Sequence, residues 1–132
     1  NPAAFKFPEG VVPGYDFSFS GLKTAVLRTV EKLQKPLPLE DLSASFQEAV
    51  TKVLVKKTLK AQAEYKAPCI VLAGGVAANK TLRARFKTES PVAVYYPSPA
   101  YCTDNAAMVA AAAAFCGKTV DLSCSVYARS AS

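Results

Sequence analysis

Three short stretches of this 132-residue chain carry residue types and spacings that can do chemistry. In Val71-Leu72-Ala73-Gly74-Gly75-Val76-Ala77-Ala78-Asn79 an apolar run opens into two glycines and then into helix-forming residues. Glycines let the backbone approach a ligand, and a helix start offers free N–H groups to an anion. That arrangement suits a phosphate or an adenylate, and it equally suits a tight turn that needs only small residues. In Tyr101-Cys102-Thr103-Asp104-Asn105 the carboxylate of Asp104 can ligate a divalent ion or cap a helix, and capping is the commoner use of an aspartate before a helix. The third stretch, Asp16-Phe17-Ser18-Phe19-Ser20-Gly21-Leu22-Lys23-Thr24, alternates aromatic residues with serine. No base lies nearby, so a serine nucleophile is not expected and packing accounts for the pattern.

Several other chemistries are excluded by composition. The chain has no histidine, which removes any His-based acid, base or metal ligand. Cys69, Cys102, Cys116 and Cys124 form no Cys-x-x-Cys pair, so a reducing compartment fits better than a disulfide framework. Cys69 lies in an apolar run, where a buried reduced thiol is expected. The glycine turn is neither Gly-x-Gly-x-x-Gly nor a P-loop.

The elements that must position these stretches are legible in the apolar spacing. Residues 1–19 read as an irregular lead-in, with a short extended piece at Tyr15–Phe19. Ser20 stands as an N-cap, and Leu22, Ala25, Val26, Val30 and Leu33 follow at helical spacing until Pro36. A second helix starts near Leu39, with Glu40 and Asp41 in its first turn, as the helix dipole favours. Its core stripe is Leu42, Phe46, Ala49, Val50, Val53, Leu54 and Ala61. Lys52, Lys56, Lys57 and Lys60 fall off that stripe and read as a solvated face, with RNA contact as the alternative. A strand over Cys69–Ala73, covered on both faces, precedes a short helix over Ala77–Lys87. A second strand over Val92–Tyr96 is broken by Pro97 and Pro99, and a last helix over Asn105–Phe115 is small enough in side chain to pack closely on a neighbour. Gly117 is its natural C-terminal stop, and the tail from Thr119 shows no strong pattern. The chain thus divides into the lead-in at 1–19, two helices over 20–66, a βαβα unit over 67–118 carrying the turns, and a tail over 119–132. Two strands are few for an independent α/β domain, so the unit reads as part of a larger one.

A content of 51% apolar and 20% charged residues describes a folded chain, and no apolar run is long enough to span a membrane. Nothing at Asn1–Lys6 resembles a signal peptide, and a start without Met suits a processed product or a fragment. Sixteen basic against ten acidic residues give a net charge of +6, which favours a polyanionic partner such as RNA.

Asp16–Thr24, Leu72–Asn79 and Cys102-Thr103-Asp104-Asn105-Ala106-Ala107-Met108 resemble, in order and spacing, three signatures of the TsaD/Gcp family, and Asn1–Pro8 resembles the stretch before the first. These are the tRNA N6-adenosine threonylcarbamoyltransferases, formerly labelled glycoproteases or O-sialoglycoprotein endopeptidases. The resemblance covers nearly the whole chain. It implies a C-terminal fragment, a partial second lobe of an actin-like, Hsp70-like, sugar-kinase-like ATPase fold, helix-rich with a small parallel sheet. It implies acyl transfer of threonylcarbamoyl from its adenylate to N6 of the adenosine beside the anticodon. Asn79, Gly74 and Gly75 match the nucleotide-binding positions, and Asp104 matches a ligand of one divalent metal ion, iron or zinc. Implied partners are tRNA, threonylcarbamoyl-adenylate and the other proteins of threonylcarbamoyladenosine synthesis, in the cytoplasm or an organelle of bacterial origin. The family completes its metal site with two histidines in a His-x-x-x-His pattern, and this chain has none. The fragment alone is therefore expected to be inactive, and a non-catalytic nucleotide-binding or assembly module is the alternative. The endopeptidase label finds no supporting residues. A cut sheet edge also offers a second copy a place to pair.

Overall fold

The structure is a computed structural model that describes residues 1–10 and 12–117; the tail over 119–132 and Cys124 lie outside the described residues. The elements run α1 (Ser20–Lys32), α2 (Leu39–Tyr65), β1 (Cys69–Val71), a 3₁₀ turn (Gly75–Ala78), α3 (Lys80–Glu89), β2 (Ala93–Tyr95), a second 3₁₀ turn (Pro99–Tyr101) and α4 (Ala106–Cys116). β1 and β2 pair in parallel with Ile70 opposite Val94, and the Leu72 N–H extends the ladder to the Tyr95 carbonyl at 2.8 Å. This is a helix-rich, partial α/β unit.

The long helix α2 is the spine, and it is buried on two sides. On one side Val55 joins Ile70, Leu82 and Phe86 in the core, with Leu54, Leu59, Leu72, Val92 and Val94 packed around them. On the other side the lead-in lies along Leu42, Ser45, Ala49 and Val53. There the Phe5 N–H donates to Ser45 Oγ at 3.1 Å and Ser45 Oγ donates to the Asn1 carbonyl at 3.3 Å. Two buried faces blur a single helical stripe. Ser45, Thr51 and Val55 are buried although the spacing omits them, whereas Phe46 is exposed. Thr51 is satisfied in the core because its hydroxyl donates to the Gln47 carbonyl at 2.8 Å.

The lysines of α2 are not a bare solvated face. Lys52 and Lys56 pair with Glu9 at 2.6 and 3.6 Å. Lys57 donates to the Val12 carbonyl at 3.0 Å and to the Asp16 carbonyl, and lies over the Phe17 ring. Lys60 lies over the Tyr15 ring. These cations fasten the lead-in, which forms no strand at Tyr15–Phe19.

Four other expectations are corrected. Ser20 is the first helical residue of α1 and makes no side-chain cap there. β1 ends at Val71, and its outer face is open: Val71 and its partner Tyr95 are 69% and 60% exposed, because no described element covers that side. Cys69 is half-buried, whereas Cys102 is the buried thiol. The alanine-rich α4 buries none of its residues against the described chain, and Phe115 at its end is 94% exposed. Gly117 does end α4, in the left-handed conformation.

Candidate nucleotide site at the strand ends

Parallel strands place whatever follows them at the same end of the sheet, where α/β proteins collect ligands. The chain leaves β1 into Gly74 and leaves β2 into Pro97–Tyr101, so the first two chemical stretches come together there. A Cβ added at Gly75 would lie 3.9 Å from Thr103 Cγ2, so the two turns are close neighbours with room for little more than one methyl group between them at that point. The third stretch does not join them. Its contacts run to α2 through Lys57, which bonds the Asp16 carbonyl and lies over Phe17.

The first turn is built around backbone geometry that only glycine adopts readily. Gly74 has φ +82° and ψ 173°. The 3₁₀ turn Gly75–Ala78 follows, and its Ala77 is buried. The helix after it starts at Lys80, three residues later than the spacing suggests, because Asn79 is its N-cap. Asn79 Oδ1 accepts from the Leu82 N–H at 2.9 Å. The Asn79 amide donates to Gln47 Oε1 at 3.0 Å, and Gln47 Nε2 donates to Thr81 Oγ1 at 2.8 Å. Asn79 is half-buried, and these bonds leave it one amide hydrogen and one oxygen lone pair for a ligand. The helix start is also positive, with Lys80 at its first position and Arg83 one turn on.

The second turn differs from expectation in which residue caps. Asn105, not Asp104, caps α4, accepting from the Met108 N–H at 3.0 Å. Asp104 is exposed and makes no hydrogen bond or ion pair with the described residues. The carboxylate that could have been spent on capping is thus free to meet a ligand. It stands alone, however: no group of three His, Cys, Asp or Glu among the described residues could hold a metal ion. The described residues therefore do not by themselves fit a resident metal ion, since one carboxylate leaves most of the coordination sphere to others.

Arg83 is a site residue that the sequence reading missed. Its Nε donates to the Ala77 carbonyl, and its Nη2 donates to the Pro97 carbonyl at 2.9 Å and to Cys102 Sγ at 3.1 Å. Its guanidinium lies 4.3 Å from the Tyr96 ring centroid. No motif marks it; one cation among the four of α3 reads as surface until both turns are folded beside it.

Sequence comparisons point to one family. The family model for TsaD, tRNA N6-adenosine threonylcarbamoyltransferase, matches residues 1–111. A tRNA N6-adenosine threonylcarbamoyltransferase of Thermomicrobium roseum is 43% identical over 96% of this chain and 42% of its own length. One of Thermosipho melanesiensis is 50% identical over 85% of this chain and 36% of its own. One of Desulfitobacterium hafniense is 50% identical over 85% of this chain and 35% of its own. The chain thus spans about two fifths or less of the relatives it matches. With the matched region enclosing both strand-end turns, the chain belongs to the TsaD family of tRNA N6-adenosine threonylcarbamoyltransferases.

Proposed function

We propose that this chain forms part of an enzyme that transfers threonylcarbamoyl from its adenylate to N6 of an adenosine in tRNA. The observation that carries the reading is that both turns stand at one end of the parallel sheet, where Arg83 bonds the Ala77 carbonyl of one and the Pro97 carbonyl of the other. Gly74, Gly75 and Asn79 receive the adenylate, where close backbone and a positively charged helix start suit a phosphate ester. Asp104 supplies one ligand of a divalent metal ion, iron or zinc, and residues outside this chain supply the rest. Such an ion would polarise the transferred acyl group. Within this reading the unit is part of the second lobe of an actin-like ATPase fold, it works in the cytoplasm with the other proteins of threonylcarbamoyladenosine synthesis, and it is inactive alone. Among the described residues no helix is long and apolar enough to cross a membrane.

The test is single-turnover modification of unmodified tRNA with the adenylate and a divalent metal. This chain is compared with one extended by the remaining sequence of the family. Transfer by the extended chain alone supports the reading. Transfer by this chain alone overturns the claim that its site is incomplete. Silence in both, with folding verified, favours the nucleotide-binding or assembly module, the reading that the solitary position of Asp104 supports.

A further inference from the structure

We infer that Arg83 is a positioning residue that locks the turn after β1 to the turn after β2, so that a ligand bridging both meets a preassembled surface. The inference deepens the proposed adenylate site and rests on it for the ligand, though not for the lock itself.

The two turns are 25 or so residues apart in sequence, and each is short. They lie close together, since a Cβ added at Gly75 would come within 3.9 Å of Thr103 Cγ2. Arg83 adds three hydrogen bonds that close the gap from behind. One goes to Ala77, inside the 3₁₀ turn that follows Gly74. Two go to Pro97 and Cys102, which bracket the second 3₁₀ turn. The guanidinium is planar and carries five donors in a fixed fork, so one side chain can hold acceptors on two separate segments at once. Stacking on Tyr96, the residue just after β2, fixes the plane of that fork. Its base is also fixed: Arg83 sits on α3 between Leu82 and Phe86, both buried in the core. An ammonium group has neither the fork nor the plane, so lysine would hold one segment and release the other.

The lock has a built-in reporter. Cys102 is 3% exposed, and its thiol donates to the Ser98 carbonyl at 3.5 Å while its sulfur accepts from Arg83. Cys69 is half-buried on β1, next to the same core, and Cys116 is exposed on α4. Among the described residues these three free thiols therefore grade local opening at the turns, opening of the sheet and full accessibility.

The experiment measures alkylation of each cysteine by iodoacetamide, read by mass spectrometry, in the wild-type chain and in R83K and R83M. Loss of the charge-assisted bonds should raise the Cys102 rate at least about tenfold in R83M, with R83K between, while the Cys69 rate stays level. If Cys102 stays protected in both variants, or its rate rises only in step with that of Cys69, Arg83 is an ordinary structural residue and the inference is overturned. Binding of AMP is measured on the same samples. AMP affinity falling in the order wild type, R83K, R83M supports the lock as part of the ligand surface, and equal affinity in all three overturns that part. A wild-type chain that ignores AMP removes the adenylate reading and leaves the alkylation result to decide the lock.

Discussion

The carboxamides of Gln47 and Asn79 are bonded to each other at 3.0 Å across the gap between α2 and the start of α3. A residue of the spine thereby sets the orientation of a residue at the candidate site, while the same Asn79 caps α3 through its oxygen. Structural and binding duties meet in one side chain, and substitutions can separate them.

Asn79→Ala removes the cap and leaves Gln47 Oε1 without its donor. It should cost about 1–2 kcal/mol in urea unfolding. Asn79→Asp keeps the capping oxygen but has no N–H for Gln47 Oε1, so only the cap's share, about 1 kcal/mol, should return. It also places a negative charge where an adenylate phosphate would approach, so AMP binding should remain lost. Recovery of AMP binding in Asn79→Asp would mean that Asn79 acts only as a cap.

The two glycines of the turn should respond differently. Gly74 has φ +82° with nothing near its missing Cβ, so Gly74→Ala suffers from backbone strain alone, about 1–3 kcal/mol. Gly75 needs no such conformation, and its Cβ would meet only Thr103 at 3.9 Å. Gly75→Ala should leave thermal unfolding nearly unchanged. If a ligand lies against this backbone, Gly75→Ala should nonetheless weaken AMP binding, and calorimetry on the folded variant decides it.

Much of this arrangement was legible from residue types. The α2 start at Leu39, the order of helices and strands, and the meeting of both turns at one sheet end follow from apolar runs interrupted by glycine and proline. What was not legible depends on partners far away in sequence. The cap at Asn79 ended the 3₁₀ turn and delayed α3, and the choice of Asn105 over Asp104 as cap was decided by which side chain reaches a backbone N–H. The lysines of α2 looked solvated because Glu9 lies more than forty residues away in sequence, in a lead-in without any period of its own. Arg83 and Gln47 were invisible for the same reason: a hydrogen-bond hub has no periodicity.

Asp104 and Asn105 should separate cleanly. Asn105→Ala removes the α4 cap and should cost about 1 kcal/mol of helix stability. α4 buries no residue against the described chain, so the loss should appear as faster amide exchange confined to that helix. Asp104→Asn touches no hydrogen bond and should change stability by less than about 0.5 kcal/mol. A large destabilisation from Asp104→Asn would assign that carboxylate a structural duty instead of a ligand-facing one.

The attachment of the lead-in should weaken in acid. The hydrogen bond from Lys52 holds the Glu9 carboxyl below its ordinary value of 4.5, against an opposing push from partial burial. A depressed folded pKa means that the stabilisation is complete above the unfolded value and is lost as pH falls through the folded one. Thermal unfolding from neutral pH downward should therefore show an acid-side loss below pH 4.5 that Glu9→Gln reduces. Identical acid profiles for the two proteins would show that the Glu9 pairs contribute nothing to stability.

The most direct test of the shared ligand surface is a titration of the isotope-labelled chain with AMP, followed by NMR. The amides of Gly74, Gly75, Asn79 and Thr103 should shift together along one binding curve, because both turns face one ligand. Shifts confined to a single turn, or gathered on the lysines of α2 instead, would contradict it.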